Sequence, residues 1–190
     1  MLYKISAIVF FILFKILFKL EIKGRKCLPK DQPFILAANH LSNLDPLVVG
    51  VAAYPQKIHF MAKEELFSNK ISSFIYRQLG VMPLKRSSTD ISALRMALKT
   101  LKTGSIGIFP QGTRSLNFEK VSSGVAFLQK KAKVPIIAAK IYGTDKALPK
   151  GAKFFKKEKV KIVFGKVDNI ENSNTYDEIV LKVVNKIKSL

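Results

Sequence analysis

The chain has 190 residues, 48% of them hydrophobic, and a formal charge of +20 from 33 Lys and Arg against 13 Asp and Glu. That length suits one domain with its own core and would cramp two. The single cysteine, Cys27, excludes a disulfide framework and a Cys/His metal cluster, and no metal or cofactor is expected.

The charge attracts polyanions over roughly a Debye length. Nucleic acid and anionic lipid both fit it, and so does a surface that is merely rich in Lys. At the N-terminus, Ile5 to Leu20 are apolar apart from Ser6, Lys15 and Lys19. The clean run from Ala7 to Phe14 is too short to span a bilayer. Wound as a helix, Lys4, Lys15 and Lys19 fall within a sector of roughly 60°, and Ile, Val, Leu and Phe fill the rest. Such a stripe suits a helix lying in the membrane interface, its ammonium groups reaching the headgroups. A tilted span with snorkelling Lys, a helix buried in the core, and a signal peptide without an A-x-A-like site are the alternatives. Residues 1–22 are read as a membrane-associated helix and 23–190 as the remaining domain.

The first candidate strand, Phe34–Ala38, ends at Asn39-His40. A polar turn then leads to Asp45-Pro46, which opens the candidate helix Pro46–Tyr54 with Asp at the cap and Pro at the first helical position. The turn can fold His40 back until its ring meets the Asp45 carboxylate. A neutral imidazole in that position can take the proton of an attacking hydroxyl. The carboxylate fixes the tautomer and steadies the imidazolium that forms. Asp45 also fits a plain helix cap and His40 a structural strand end, and the H-x4-D spacing alone is a weak signal.

The next candidate strand, Lys57–Ala62, contains His59, which has no such acidic partner and reads as structural. After the candidate helix Ile71–Gln78, the strand Val81–Leu84 ends in Lys85-Arg86-Ser87-Ser88. After the helix Asp90–Lys102, the strand Ser105–Phe109 ends in Pro110-Gln111-Gly112-Thr113-Arg114-Ser115. Two strand ends thus each deliver an Arg beside small hydroxyl residues. Arg forks suit phosphate, Gly112 permits a tight turn whose N–H groups can face an anion, and Thr113 and Ser115 add donors. Either Arg taken alone reads more simply as a solvated surface residue, and that both follow strands in polar turns weakens that reading. No Walker A sequence is present, so nucleotide binding is not indicated. The helix Lys120–Lys131, the strands Val134–Ile141 and Val160–Val167, and the helix Thr175–Lys188 complete the chain. Strands separated by helices predict an α/β fold with helices packed on a sheet. The polar motifs then gather at the carboxyl ends of strands.

Together these residues resemble the glycerolipid acyltransferase family that includes the 1-acylglycerol-3-phosphate acyltransferases. The family's N-H-x4-D motif is met by Asn39 to Asp45, and its second motif by GVMPLKR ending at Arg86. Its third, F-P-E-G-T-R-S, is met by FPQGTRS from Phe109 to Ser115, and its fourth by Val134-Pro135-Ile136. AKEELF at Ala62–Phe67 and Gly124 add to the match, which runs in order over roughly residues 24 to 165; four ordered motifs are far more specific than one.

The resemblance implies a single mixed β-sheet flanked by helices, with an apolar groove for the acyl chain and residues 23–190 as the acyltransferase domain. It implies His40 and Asp45 as the catalytic pair, with Arg86, Arg114 and Lys85 on the acceptor's phosphate. Asn39, Gln111, Gly112, Thr113, Ser115 and Pro135 support the motifs. The donor implied is a thioester of acyl carrier protein or coenzyme A, and the acceptor is lysophosphatidic acid. The expected location is the cytoplasmic face of the cell membrane, on an anionic lipid surface.

Gln111 stands where the family has Glu; it keeps an acceptor oxygen and loses the charge. That departure leaves another lysophospholipid or a lyso-aminolipid open as acceptor. A non-catalytic membrane or nucleic-acid binder competes on charge alone. No nucleic-acid motif and no basic helix with interleaved aromatics is present, so no nucleic-acid partner is expected.

Overall fold

The short apolar runs Ile35–Ala38 and Ile136–Ala139 form the middle of one sheet. The computed structural model describes residues 2–78, 80–84, 90–112, 114, 118, 121–152 and 154–190. In chain order its elements are α1 (Leu2–Phe18), β1 (Glu21–Lys23), β2 (Ile35–Ala38), α2 (Asp45–Ala53), β3 (Ile58–Lys63), α3 (Lys70–Gln78) and β4 (Val81–Leu84). There follow α4 (Asp90–Thr100), β5 (Ser105–Ile108), α5 (Gly124–Ala132), β6 (Ile136–Tyr142), α6 (Thr144–Ala147), β7 (Lys161–Lys166) and α7 (Tyr176–Ser189). The strand order is β1-β7-β6-β2-β5-β3-β4. From β6 to β4 all neighbours are parallel, β7 is antiparallel to β6, and β1 is parallel to β7. This is the single mixed sheet flanked by helices that the resemblance implies.

A parallel sheet covered on both faces has no polar side, so its strands read as continuous apolar runs. Every residue of β2 is buried. Leu36 and Ala38 join a core layer with Phe14 and Phe18 of α1 and Val48 to Ala53 of α2. Ile35 and Ala37 join the opposite layer with residues of α4, α5 and α7. Near the sheet edge the pattern loosens, and buried and half-buried residues alternate along β7.

The structure adjusts several expectations. β1 and α6 were not anticipated: one is three residues with two charges, the other a single turn. α5 begins at Gly124, not Lys120, because the preceding segment is tied elsewhere. There the Ser122 N–H donates to Pro110 O at 2.8 Å and Ser122 Oγ accepts from the Gly124 N–H at 3.1 Å. Lys19 is not part of the stripe on α1; it follows the helix in a left-handed conformation, with φ 47°. From Ile8 onward, Phe14 and Phe18 of α1 are buried in the α2 layer, and Phe10 and Phe11 pack partly buried against it. Ile8, Val9, Ile12, Leu13, Ile16 and Leu17 are exposed. Among the described residues, no helix is long and apolar enough to cross a membrane.

Candidate active site

The parallel arrangement of β2, β5 and β6 brings their carboxyl ends to one edge of the sheet, and the polar turns follow them there. Asn39, directly after β2, is buried and bridges to β6. Its Nδ2 donates to Ile141 O at 2.9 Å, and its Oδ1 accepts from the Ile141 N–H at 2.7 Å. The side-chain amide thus makes the pair of bonds that another strand residue would make. His40 leaves the sheet from a fixed point as a result.

The Asp45 carboxylate organises the turn. Its Oδ2 accepts from the Leu41 N–H at 2.6 Å and the Ser42 N–H at 2.7 Å, and it lies 2.8 Å from His40 Nδ1. The expected helix cap is corrected here. Asp45 is the first residue of α2, Leu44 holds the cap position, and the cap makes no side-chain hydrogen bond. The carboxylate turns backward to the loop because three donors converge there, while Pro46 supplies none. The side chain of Asp45 is fully buried and that of His40 is 18% exposed. Asp45 Oδ1 is buried without a hydrogen-bond partner among the described residues. Ser42 secures the far side of the turn, its Oγ donating to Leu148 O at 2.8 Å.

With Nδ1 facing a carboxylate, the imidazole carries its proton on Nδ1 and keeps the Nε2 lone pair outward. Nε2 has no hydrogen bond among the described residues. The ring lies on Phe109, with centroids 4.2 Å apart and planes 19° apart. Phe109 stacks in turn on Phe60 at 5.2 Å. Gly107 of β5 makes room for this pile, since a Cβ there would collide with the Phe60 ring. Sequence reasoning met Phe109 only as the first residue of the third motif and passed over Phe60. Its one available signal was a glycine inside a strand, which marks a close approach.

The turn after β5 supports the first turn from across the gap. Gln111 is buried, and its Oε1 accepts the His40 backbone N–H at 2.7 Å. A neutral acceptor meets that need, so replacing a carboxylate by an amide retains the contact. Gly112 has φ 67°, and its N–H donates to Phe109 O at 3.0 Å. That N–H closes the tight turn that Gly112 permits. Arg114 is half-buried at the same sheet edge. Lys85, Arg86, Thr113 and Ser115 lie outside the described residues.

Pro135 is not part of this gathering. It precedes β6 at the opposite edge, where its carbonyl accepts from the Ile35 N–H at 3.0 Å. Having no N–H to place, it suits a strand start. His59 in β3 is half-buried, and burial pushes its imidazole below the ordinary value, with Lys57 adding to the effect. Burial likewise pushes the Cys27 thiol up, away from the nucleophilic thiolate. Among the described residues, no group of three or more His, Cys, Asp or Glu could hold a metal ion.

The family model described as Acyltransferase matches residues 19–142. The chain is 34% identical over 147 residues to a 1-acyl-sn-glycerol-3-phosphate acyltransferase of Bacillus subtilis, covering 76% of this chain and 71% of that one. It is 33% identical over 165 residues to the enzyme of that name from Streptococcus pneumoniae, covering 84% and 60%. Among solved structures, the 1-acyl-sn-glycerophosphate (LPA) acyltransferase of Thermotoga maritima superposes with a TM-score of 0.75 at 27% identity, over 99% of this chain and 76% of that one.

Proposed function

This chain belongs to the acyltransferase family, and on that premise we propose that it moves a fatty acyl group from a thioester to the free hydroxyl of lysophosphatidic acid, giving phosphatidic acid. The observation that carries the reading is the contact of 2.8 Å between His40 Nδ1 and a fully buried Asp45, which aims Nε2 outward.

In this reading Nε2 takes the proton of the acceptor hydroxyl as its oxygen attacks the thioester carbonyl. The tetrahedral intermediate collapses, the carbon–sulfur bond breaks, and the imidazolium returns the proton to the departing thiolate. Asp45 holds the ring and steadies its transient charge. No acyl-enzyme is formed, because the acceptor alcohol is itself the nucleophile. Arg114, with Arg86 and Lys85, grips the acceptor's phosphate through charge-assisted hydrogen bonds. The donor is an acyl carrier protein or coenzyme A thioester.

The same proposal assigns residues 1–22 to the membrane and 23–190 to the transfer chemistry, at the cytoplasmic face. The exposed apolar side of α1 supports this, since Ile8, Val9, Ile12, Leu13, Ile16 and Leu17 are left uncovered among the described residues.

The test is acyl transfer by purified protein to lysophosphatidic acid from a mixed pool of thioesters, with products read by mass spectrometry. Phosphatidic acid is the expected product. His40→Ala is expected to lower kcat by about a thousandfold or more. Undiminished transfer by that variant would sink the mechanism.

A further inference from the structure

The segment from Pro149 to Val160, which joins α6 to β7, is held closely against the end of α1. The Val160 N–H donates to Phe18 O at 2.9 Å, and the Glu21 N–H donates to Val160 O at 2.9 Å. Lys159 Nζ pairs with Glu21 Oε2 at 3.2 Å. The rings of Phe18 and Phe155 meet edge to face, 5.9 Å apart. Toward α6, the Lys156 N–H donates to Ala147 O at 2.8 Å. Yet the tip itself is open: Phe154 is 82% exposed and Phe155 58%. A segment tied at both ends that keeps two adjacent aromatic rings in water has an unpartnered apolar surface. Lys150, Lys156, Lys157 and Lys159 are exposed around it, and Glu158 is the one acidic residue from 150 to 160.

We propose that Phe154 and Phe155 form a second bilayer contact, an aromatic wedge that enters an anionic lipid surface beside α1. Two observations select lipid as the occupant. The wedge packs on Phe18, the buried last residue of α1, directly after Ile16 and Leu17, which are exposed, so the two uncovered apolar surfaces meet at the same end of that helix. Its border of ammonium groups complements anionic headgroups, while the rings supply the insertion energy. The wedge also bears on the site described above. Leu148, a few residues before it, is the carbonyl that holds Ser42 of the His40 turn. Seating the wedge therefore fixes the tilt of that turn against the lipid surface.

The inference rests on the membrane reading of α1, and the experiment separates the two. The full chain is sedimented with vesicles of phosphatidylcholine containing phosphatidylglycerol, and with phosphatidylcholine alone. Phe154→Ser is expected to weaken binding to the anionic vesicles several-fold, and Phe154→Ser/Phe155→Ser about tenfold, with the melting temperature of the single variant unchanged. The chain has no Trp, so Phe154→Trp introduces a single indole. Its emission should shift to the blue with vesicles and be quenched by lipids brominated on the acyl chains. If wild type sediments while both serine variants sediment equally well, or the indole emission does not move, the wedge is overturned and the membrane reading of α1 stands. If wild type does not sediment at all, both fall together.

Discussion

The turn after β2 and the helix α1 treat water in opposite ways. In the turn nearly every polar group has a named partner: one carboxylate oxygen takes three donors, and a strand carbonyl and N–H are matched by the Asn39 amide. In α1 a narrow Phe face is buried and a broad run of Ile, Val and Leu is left outside. One region is over-determined by the protein, and the other is left to be completed by something else. The difference teaches where precision resides: chemistry needs a fixed imidazole, while contact with a fluid surface needs only exposed apolar area.

The contrast can be broken at the turn first. Asp45→Asn keeps an oxygen for the Leu41 and Ser42 N–H groups and for His40 Nδ1 but loses the charge that steadies the imidazolium. The expected loss is about a thousandfold in kcat for acyl transfer, with the denaturation midpoint near that of wild type. A loss below tenfold would mean the turn holds the ring without its carboxylate. Next comes the buried face of α1. Phe14→Ala removes a ring that is 3% exposed, and its expected cost is about 3 kcal/mol in guanidinium unfolding. A cost under about 1 kcal/mol would show that α1 detaches without disturbing the domain. The smallest effect sharpens the picture. Gln111→Glu offers the same acceptor to the His40 N–H, so kcat should stay within a few-fold of wild type. A large change would assign the amide a further role in the site.

Much of the fold was legible because the central strands are covered on both faces. The run from Phe34 to Ala38 has no polar residue to confuse it, and the helix read as Thr175–Lys188 is found as α7 with Thr175 as its cap, accepting from the Glu178 N–H at 3.2 Å. β1 was illegible because Glu21 and Lys23 flank one isoleucine, and its pairing with Lys161 to Val163 is a tertiary fact. At the site, the His40–Asp45 pair was readable from its place between a strand end and a Pro-led helix and from the motifs that follow in order, not from spacing alone. The backward turn of the carboxylate was not, since Asp-Pro before a helix reads as a cap whether or not loop donors compete for it. The pile of Phe60, Phe109 and His40 depends on neighbouring strands, and only Gly107 hinted at it.

Asn39 has one consequence for substitution. The position must both give a hydrogen to the Ile141 carbonyl and take one from the Ile141 amide. Asp can only take, Lys can only give, and Ser is too short to do both at once across that gap. A primary amide of this length is the one side chain that imitates a peptide unit, so Asn39 is a piece of backbone lent by a side chain. The bearing of the imidazole is thereby indexed to the β2–β6 ladder, and shear between those two strands would misaim the base while every residue of the pair remained in place.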